Sequence, residues 1–511
     1  MEPTFNLIDE PWIPCTDLDG HTQELGLRET LARAHELQGI QGDSPLVTAA
    51  LYRLLLAVLH SALRGPKSRQ EWMDLWNAGT WDMAQMNAYL DRWRNRFYLF
   101  HPQRPFYQVV NIVGKRKSII KLLPEMASGN NATLFDHHTD EIGGVFTPAQ
   151  AALALIFVQS CSVAGGSGMA PKDSSDAPWS REIIFLIEGD NLFETLTLNL
   201  IRYSDDDPLP NQSDDRPAWE MDDPFHPKRQ VPRGYLDYLT WQNRKLDLLP
   251  IEDGQVVLVR EVVMSPGLKK DPSILDPMKH YNIHEKRGLI GWRFKPDRVL
   301  WRDSSVLLEL NAPEKYRPPR NFHWISNLVR EDWLNPEKMY RFMAFGMAGK
   351  QARFDFFRQE KMPLPLSYFK REEYVEELST ALEWTEKCCN YLWGAVNTLA
   401  KLSISPTAFD ENGRQPDQKD VSNLTSHWGV ERNYWGTLEV PFLALIEGIP
   451  KNPDAAMDEW QRTLERTSWN TFHQAEELAG TSSATLKAGG RAGGQLAGGL
   501  QKLFPEKELT L

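Results

Sequence analysis

The chain has 511 residues, a formal net charge of −12 and four cysteines. This length exceeds what one hydrophobic core supports, so we expect roughly two to four domains. The acidic balance excludes a protein that coats nucleic acid indiscriminately, because that affinity comes mostly from neutralised phosphates.

The opening of the chain and its cysteines are typical of a cytoplasmic protein. The first residues, MEPTFNLIDEPWIP, lack the basic and apolar regions of a signal peptide, and no apolar run approaches the roughly 20 residues that span a bilayer. The cysteines have no CxxC spacing, which argues against a structural zinc site. We therefore expect reduced thiols, a cytoplasmic location, no membrane association, no metal and no cofactor.

The predicted fold class is α+β, with a large irregular mixed domain over residues 1–365. Two apolar segments, 49–63 and 148–162, read as buried helices. Three segments read as strands, namely 181–189, 192–201 and 254–264. Two short basic stretches, 114–121 and 284–302, could contact a polyanion, although solvated charge on a pair of strands is the commoner explanation.

From about residue 375 the pattern becomes helical. Apolar residues then recur at alternating steps of three and four, which predicts one long amphipathic helix with a narrow seam, formed by Val375, Leu378, Leu382, Thr385, Cys389, Leu392, Val396 and Leu399. Such a helix needs partners, and the candidates are 425–447, bent at Pro441, then 457–479 and 481–504. We predict a C-terminal four-helix bundle over residues 366–511.

The segment FDHHTDE at 135–141 is the densest group of metal-ligand residue types. Asp136, His137 and His138 could serve a metal-dependent hydrolase, and this is the alternative function. The segment matches no defined metal motif, and ligands from one short loop lack the supporting contacts that a catalytic metal needs. Enzyme activity therefore has no positive support.

Two glycine-rich segments could present backbone to a ligand. In SVAGGSGMAPK at 162–172, Gly165, Gly166 and Gly168 allow close backbone approach, although a flexible loop after a helix explains the same glycines. In FGMAGKQARF at 345–354 the spacing does not fit a phosphate loop. We interpret it as a tight turn, with Gly349 at a positive φ, that presents Lys350 and Gln351.

Several segments, taken in order, resemble the large-subunit (CasA) family of type I-E CRISPR Cascade surveillance complexes. The matching segments are FNLIDEPWIP at 5–14, RFYLFHPQRPFYQ at 96–108, DPMKHY at 276–281, WRD at 301–303, the Gly-Lys-Gln turn, and YWGTLEVPF at 434–442. The resemblance covers nearly the whole chain. It implies a non-catalytic DNA reader with an irregular N-terminal domain and a C-terminal four-helix bundle.

The resemblance also implies a set of DNA-contacting residues that reach a protospacer-adjacent motif from the minor groove. A glycine loop corresponds to Gly165, Gly166, Ser167 and Gly168. A lysine finger corresponds to Lys279, with Lys269 and Lys270 as neighbouring alternatives. A glutamine wedge corresponds to Gln351, beside Lys350 and Ala352.

The implied partners are double-stranded target DNA, the guide-RNA-loaded Cascade subunits, and a helicase-nuclease recruited after R-loop formation. A loop at about 129–140 corresponds to an assembly contact, with Asn131 and Phe135 as contact residues. A scaffold whose helices only bind other helices is a further alternative.

Overall fold

The computed structural model describes residues 4–123, 144–165, 174–202, 209, 212–253, 256–296, 298–350 and 353–505. The chain divides into two units. The first contains Met1–Val299, Leu310–Asn335 and Tyr340–Met362, and the second contains Leu300–Glu309, Pro336–Met339 and Pro363–Leu511. The assignment of DNA-motif recognition to residues 1–365 and of a bundle to 366–511 stays a prediction.

The α-helices of the described chain are, in order, α1 (Leu27–Ala32), α2 (Pro45–Leu63), α3 (Arg69–Ala78), α4 (Met83–Trp93), α5 (Pro148–Cys161), α6 (Leu192–Leu198), α7 (Tyr235–Leu239), α8 (Ser304–Leu308), α9 (Arg320–Arg330), α10 (Ser367–Lys370), α11 (Glu372–Ile404), α12 (Gln418–Trp428), α13 (Val430–Gly448), α14 (Pro453–Ala479) and α15 (Ser483–Leu503). The strands are β1 (Thr4–Asn6), β2 (Ile13–Asp17), β3 (Thr22–Leu25), β4 (Leu37–Ile40), β5 (Tyr98–Phe100), β6 (Arg116–Ser118), β7 (Ile184–Glu188), β8 (Arg244–Asp253), β9 (Val256–Pro266), β10 (Tyr281–His284), β11 (Gly288–Gly291), β12 (Tyr316–Arg317), β13 (Met339–Lys350) and β14 (Arg353–Pro365). The predicted mixed α+β class is confirmed.

The core of the first unit is built on α2 and α5, which pack against each other. Both begin as the sequence dictates. Ser44 accepts a hydrogen bond from the Val47 N–H ahead of α2, and Thr147 forms a capping box with Gln150 ahead of α5. Their burial confirms the two predicted helices.

Helix α2 is also the one described helix long and apolar enough to cross a bilayer. It has 19 residues, nearly the span that we considered absent from the sequence. However, 94% of its apolar window is buried inside the protein, as in a core helix.

The strands form five small sheets, ordered β1-β5, β3-β2-β4, β6-β9-β8, β11-β10-β12 and β14-β13-β7. The predicted strands at 181–189 and 254–264 are confirmed as β7 and β9. The predicted strand at 192–201 is wrong, because residues 192–198 form α6. The Asn191 side chain accepts a hydrogen bond from the Glu194 N–H and caps a helix start, which outweighs the alternating pattern.

The second unit confirms a C-terminal helical region. Helix α11 runs for 33 residues and buries the predicted seam, apart from the half-buried Val375. The predicted helix 425–447 is interrupted at Gly429, which adopts φ +63° and separates α12 from α13. Pro441 lies within α13. Residues 372–503, all described, thus hold five helices, and the four-helix bundle stays a prediction.

The glycines of α15 fall into two groups. At Gly490, Gly494 and Gly498 an added Cβ would meet nothing within 4 Å. At Gly499 it would lie 2.6 Å from Cγ of Tyr391 on α11, so this glycine allows the two helices to approach closely.

We therefore expect opposite effects from two alanine substitutions in the same helix. Gly490→Ala should raise the free energy of unfolding by about 0.5–1 kcal/mol, because alanine has the higher helix propensity. Gly499→Ala should lower it by about 1–3 kcal/mol, because the Tyr391 ring must move. Chemical denaturation followed by circular dichroism measures both. A stabilising Gly499→Ala would contradict the close packing of α11 and α15.

Candidate nucleic-acid interface

Only part of the predicted interface is described. Gly165 and Lys279 are described fully, and Lys350 is described at the backbone. The following predicted positions lie outside the described residues: Gly166, Ser167, Gly168, Gln351 and Ala352 of the DNA-contact set, Asn131 and Phe135 of the partner loop, and Asp136, His137 and His138 of the alternative metal site.

Gly165 lies just beyond the C-terminal end of α5, where the glycine-rich segment begins. It adopts φ +77°, which favours glycine, and its N–H donates to Oγ of Ser174 at 3.0 Å. The N–H of Ala164 donates to Oδ1 of Asp176 at 2.7 Å. The two ends of the segment 166–173 are therefore tied to each other.

A buried arginine holds the same two ends. Arg244, at the start of β8, is only 1% exposed, and its guanidinium donates to the carbonyl oxygens of Val163 and Ser175, both at 2.9 Å. The Asn243 side chain donates to the same Ser175 carbonyl at 3.2 Å. Burial lowers the pKa of Arg244 to about 10, so it remains a cation at neutral pH. We call residues 162–165, 174–176 and Arg244 the loop neck.

The segment that carries Lys269 is attached directly to the loop neck. Arg244 pairs with Pro266 where β8 meets the end of β9. The N–H of Gly267 then donates to the Asn243 carbonyl at 3.0 Å, and a Cβ at Gly267 would lie 2.6 Å from the Arg244 nitrogen, so glycine is required there. Lys269 follows two residues later and is exposed.

Lys270 is half-buried, and its Nζ donates to the carbonyl of Ile274 at 2.9 Å. Burial is the main cause that lowers its pKa, and the nearby positive charge of Lys279 adds to the effect.

Lys279, the residue that corresponds to the lysine finger, is buried. It is 5% exposed, and its Nζ donates to the Pro178 carbonyl at 2.7 Å and to Oε2 of Glu182 at 3.0 Å. The other Glu182 oxygen accepts from Arg293 at 2.8 Å. Burial alone would raise the pKa of Glu182, but the charges of Lys279 and Arg293 outweigh it and lower that pKa to about 2. The ammonium is therefore held inside the chain by a carboxylate that stays ionised.

Strands β13 and β14 carry the predicted wedge. Strand β13 pairs with β7 up to Phe345 and Ile184, and then continues for five residues to Lys350, about 16 Å further at the usual rise. Strand β14 begins at Arg353, so Gln351 and Ala352 connect the two strands. The predicted turn at Gly349 is wrong, because Gly349 lies within β13.

Strand β7 connects the three predicted elements. Its first residue, Ile184, pairs with Phe345 on β13 and forms a bridge to Lys279. The chain leaving the loop neck returns along α5, where the Trp179 N–H donates to the Ser160 carbonyl at 2.7 Å, and then enters β7. The described residues on both sides of the glycine segment, the segment that contains Lys279, and strand β13 are thus joined through β7 and the loop neck. No pattern in the sequence indicated a structural role for Arg244 or Glu182.

One cluster in the described chain has metal-ligand residue types close together. Ligand atoms of Asp17, Asp19 and His21 lie within 4.8 Å of one another on an exposed turn. Oδ1 of Asp17 already accepts hydrogen bonds from the Asp19 and His21 N–H groups, so this carboxylate serves the turn itself.

Comparisons with known proteins match nearly the whole chain. The family model "CRISPR-associated protein Cse1" matches residues 6–471. The CRISPR-associated protein CasA/Cse1 of Thermus thermophilus is 34% identical over 497 residues, 95% of each chain. A solved structure of Thermus thermophilus CasA (Cse1) has a TM-score of 0.79 at 29% identity, covering 98% of this chain and all of that one. A chain of a solved CRISPR RNA-guided surveillance complex shares the fold, with a TM-score of 0.75 at 20% identity over 97% of this chain and all of that one.

The ion pairs of Glu182 with Lys279 and Arg293 predict a pH-dependent contribution to stability. A carboxyl whose pKa is about 2 when folded and about 4.3 when unfolded stabilises the folded chain above the unfolded value, and this contribution is lost as the pH falls towards 2. Glu182→Gln should therefore lower the free energy of unfolding by roughly 3 kcal/mol at pH 7, and the difference from the wild type should shrink between about pH 5 and pH 3. Urea denaturation across that range measures it.

The double variant Glu182→Gln with Lys279→Met should recover part of the lost stability at pH 7, because it leaves no buried ammonium without a counter-ion. A Glu182→Gln deficit that is constant from pH 7 to pH 3 would contradict the ion-pair assignment.

Proposed function

The chain belongs to the CRISPR-associated Cse1 family, and we propose that it is the non-catalytic large subunit of an RNA-guided surveillance complex. In that role it reads a short motif in double-stranded DNA from the minor groove and separates the base pairs beside it. The observation that carries this proposal is the attachment of the glycine segment, the lysine segment and the β13–β14 connection to one strand, β7, and its loop neck.

The glycine segment suits a narrow groove. The minor groove is roughly 6 Å wide, and backbone without Cβ atoms can enter it and present N–H groups where larger side chains would collide. Base edges there carry a degenerate code, so a reader of this kind tolerates several motifs and responds partly to groove shape. Gly165 to Gly168 would make this contact, held in place by Arg244 at the loop neck.

A lysine beside the glycine segment would add donors to base acceptors and neutralise phosphate. Of the three lysines considered, Lys269 is the one the structure exposes, and it follows the residues bonded to the loop neck. Lys279 could act only after leaving Glu182 and the Pro178 carbonyl. We therefore assign the finger role to Lys269 and a bracing role to Lys279.

Gln351 would act as the wedge. Gln351 follows β13 and precedes β14 in the chain. Strand β13 extends well past its pairing with β7. Inserting a side chain into a base stack costs a few kcal/mol. Pairing of the guide RNA with the opened strand offsets that cost, because the RNA–DNA duplex is about as stable as the DNA duplex that it replaces. Lys350 and Ala352 would flank the wedge.

The proposed partners follow from this role. They are double-stranded target DNA, the guide-RNA-loaded subunits, which Asn131 and Phe135 would contact, and a helicase-nuclease that acts once the R-loop has formed. The work of this chain would be recognition and strand separation in the cytoplasm, and the cleavage chemistry would belong to the recruited enzyme.

Reconstitution tests the proposal directly. A guide-loaded complex that lacks this chain should regain binding to motif-bearing duplex when the purified chain is added. Gln351→Ala should then slow strand opening by about 10-fold or more, corresponding to at least about 1.4 kcal/mol, while the rate of initial association changes little. A fluorescent base analogue beside the motif reports opening, and stopped-flow anisotropy reports association.

Lysine variants provide the matched control. Lys269→Ala should weaken the initial encounter and reduce the salt dependence of binding by about one phosphate contact, and Lys279→Ala should change neither by as much. An opening rate unaffected by Gln351→Ala would remove the wedge role, and a complex that binds the duplex equally well without the chain would refute the function.

A further inference from the structure

A second basic site lies in the first unit and is formed by side chains other than those assigned to DNA recognition. It is a cavity of about 260 Å³ lined by Arg69, Arg202, Ile201 and the α9 residues Arg320, His323, Trp324 and Asn327. Three of these seven side chains are arginines, and none of the described lining residues is acidic. Such a lining favours an anion over a cation.

Helix α9 supplies one wall. Arg320 is its first residue, and His323 and Asn327 follow at helical spacings of three and four, so all three lie on one face. Arg69, the first residue of α3, forms an ion pair with Glu331 through one terminal nitrogen. Its Nε is buried and has no hydrogen-bond acceptor among the described residues.

A buried donor lines the same cavity. Trp324 is 9% exposed, and its Nε1 has no hydrogen-bond acceptor among the described residues. An unsatisfied buried N–H is costly, so a ligand that supplies the acceptor would be stabilised there. A bound anion would offer the acceptor that Trp324 and Arg69, two of the lining residues, lack.

The charged side chains among the lining residues are all arginines. Burial is the first cause that lowers the pKa of His323, and the charges of Arg320 and Arg330 lower it further. His323 is therefore mostly neutral at pH 7, and its ring can donate one N–H. The remaining positive charge comes from arginines, which stay protonated at any physiological pH.

We propose that this cavity binds a phosphoryl group. Guanidinium groups match the oxygens of phosphate in paired hydrogen bonds, and a tetrahedral anion can accept from several directions at once, whereas a carboxylate offers only two oxygens in one plane. The cavity volume suits one such group and the atoms beside it. The group could belong to free phosphate or to a nucleic-acid backbone.

The cavity is connected to the segment that contains Lys279. The N–H of Arg320 donates to the carbonyl of Pro277 at 2.6 Å, two residues before Lys279. An occupied cavity would therefore fix the start of α9 against that segment. The proposal does not depend on the DNA-reading function, since it concerns different side chains.

Isothermal titration of the full chain with inorganic phosphate, at constant ionic strength, tests the proposal. The wild type should show saturable binding at one site, and acetate should bind at least about 10-fold more weakly. Arg320→Gln and Arg202→Gln, tested separately, should each weaken phosphate binding by about 10-fold or more. Arg330→Gln, on the same helix but outside the cavity, should weaken binding by no more than about threefold, because its charge acts on the cavity without contact.

Competition distinguishes the two sources of the phosphoryl group. Displacement of phosphate by a short single-stranded DNA without a terminal phosphate would identify a backbone phosphodiester, and competition by inorganic phosphate and sulfate alone would identify a free anion. No saturable binding, equal binding of acetate, or an equal loss in Arg330→Gln would overturn the proposal. So would binding that appears only after Asp205, Asp206 and Asp207 are replaced by Asn, because the chain's own acidic segment would then be the occupant.

Discussion

The candidate interface depends on one buried cation. Arg244 donates to the carbonyl oxygens of Val163 and Ser175, which lie on opposite ends of the glycine-rich segment. Loop ends held this closely lose conformational freedom before any ligand arrives, so less entropy is lost on binding. A buried carbonyl group left without a donor would destabilise the folded chain. Replacing Arg244 alone would therefore lower stability at the loop neck. Lysine could not replace Arg244, because only the guanidinium holds several donors in one rigid plane.

The rest of the site is built outward from this arginine and from β7. Asn243 and Gly267 connect the loop neck to Lys269 through backbone hydrogen bonds. On the other side, the ion pair between Lys279 and Glu182 braces the segment that bridges to Ile184. Recognition by shape requires that the contacting elements keep fixed distances from one another, and shared strands and buried ion pairs provide that rigidity. Under the proposed function, the chain would combine a strongly acidic net charge with a few groups directed at DNA.

The sequence predicted the elements whose patterns are local. Helices α2 and α5 follow from apolar runs with clear caps, and α11 follows from a seam sustained over 25 residues. It failed where two local signals competed, as at 192–198, where the Asn191 cap outweighed an alternating pattern. Sequence patterns also do not report features that a distant partner decides. The burial of Lys279 depends on Glu182, almost 100 residues away along the chain, and the role of Arg244 depends on carbonyls about 70 to 80 residues before it. No spacing within either segment carries that information, and only the family resemblance pointed to the region at all.

The most direct test of this account is the ratio of affinities for motif-bearing and motif-lacking duplex, measured in the reconstituted complex with Arg244→Lys in this chain. Because lysine cannot bridge both ends of the loop neck, the ratio should fall by about 10-fold or more, while the circular dichroism spectrum and the affinity for motif-lacking DNA stay close to those of the wild type. Arg341→Lys, an exposed arginine on β13, serves as the matched control. A folded Arg244→Lys variant that discriminates as well as the wild type would contradict the claim that the loop neck organises motif recognition.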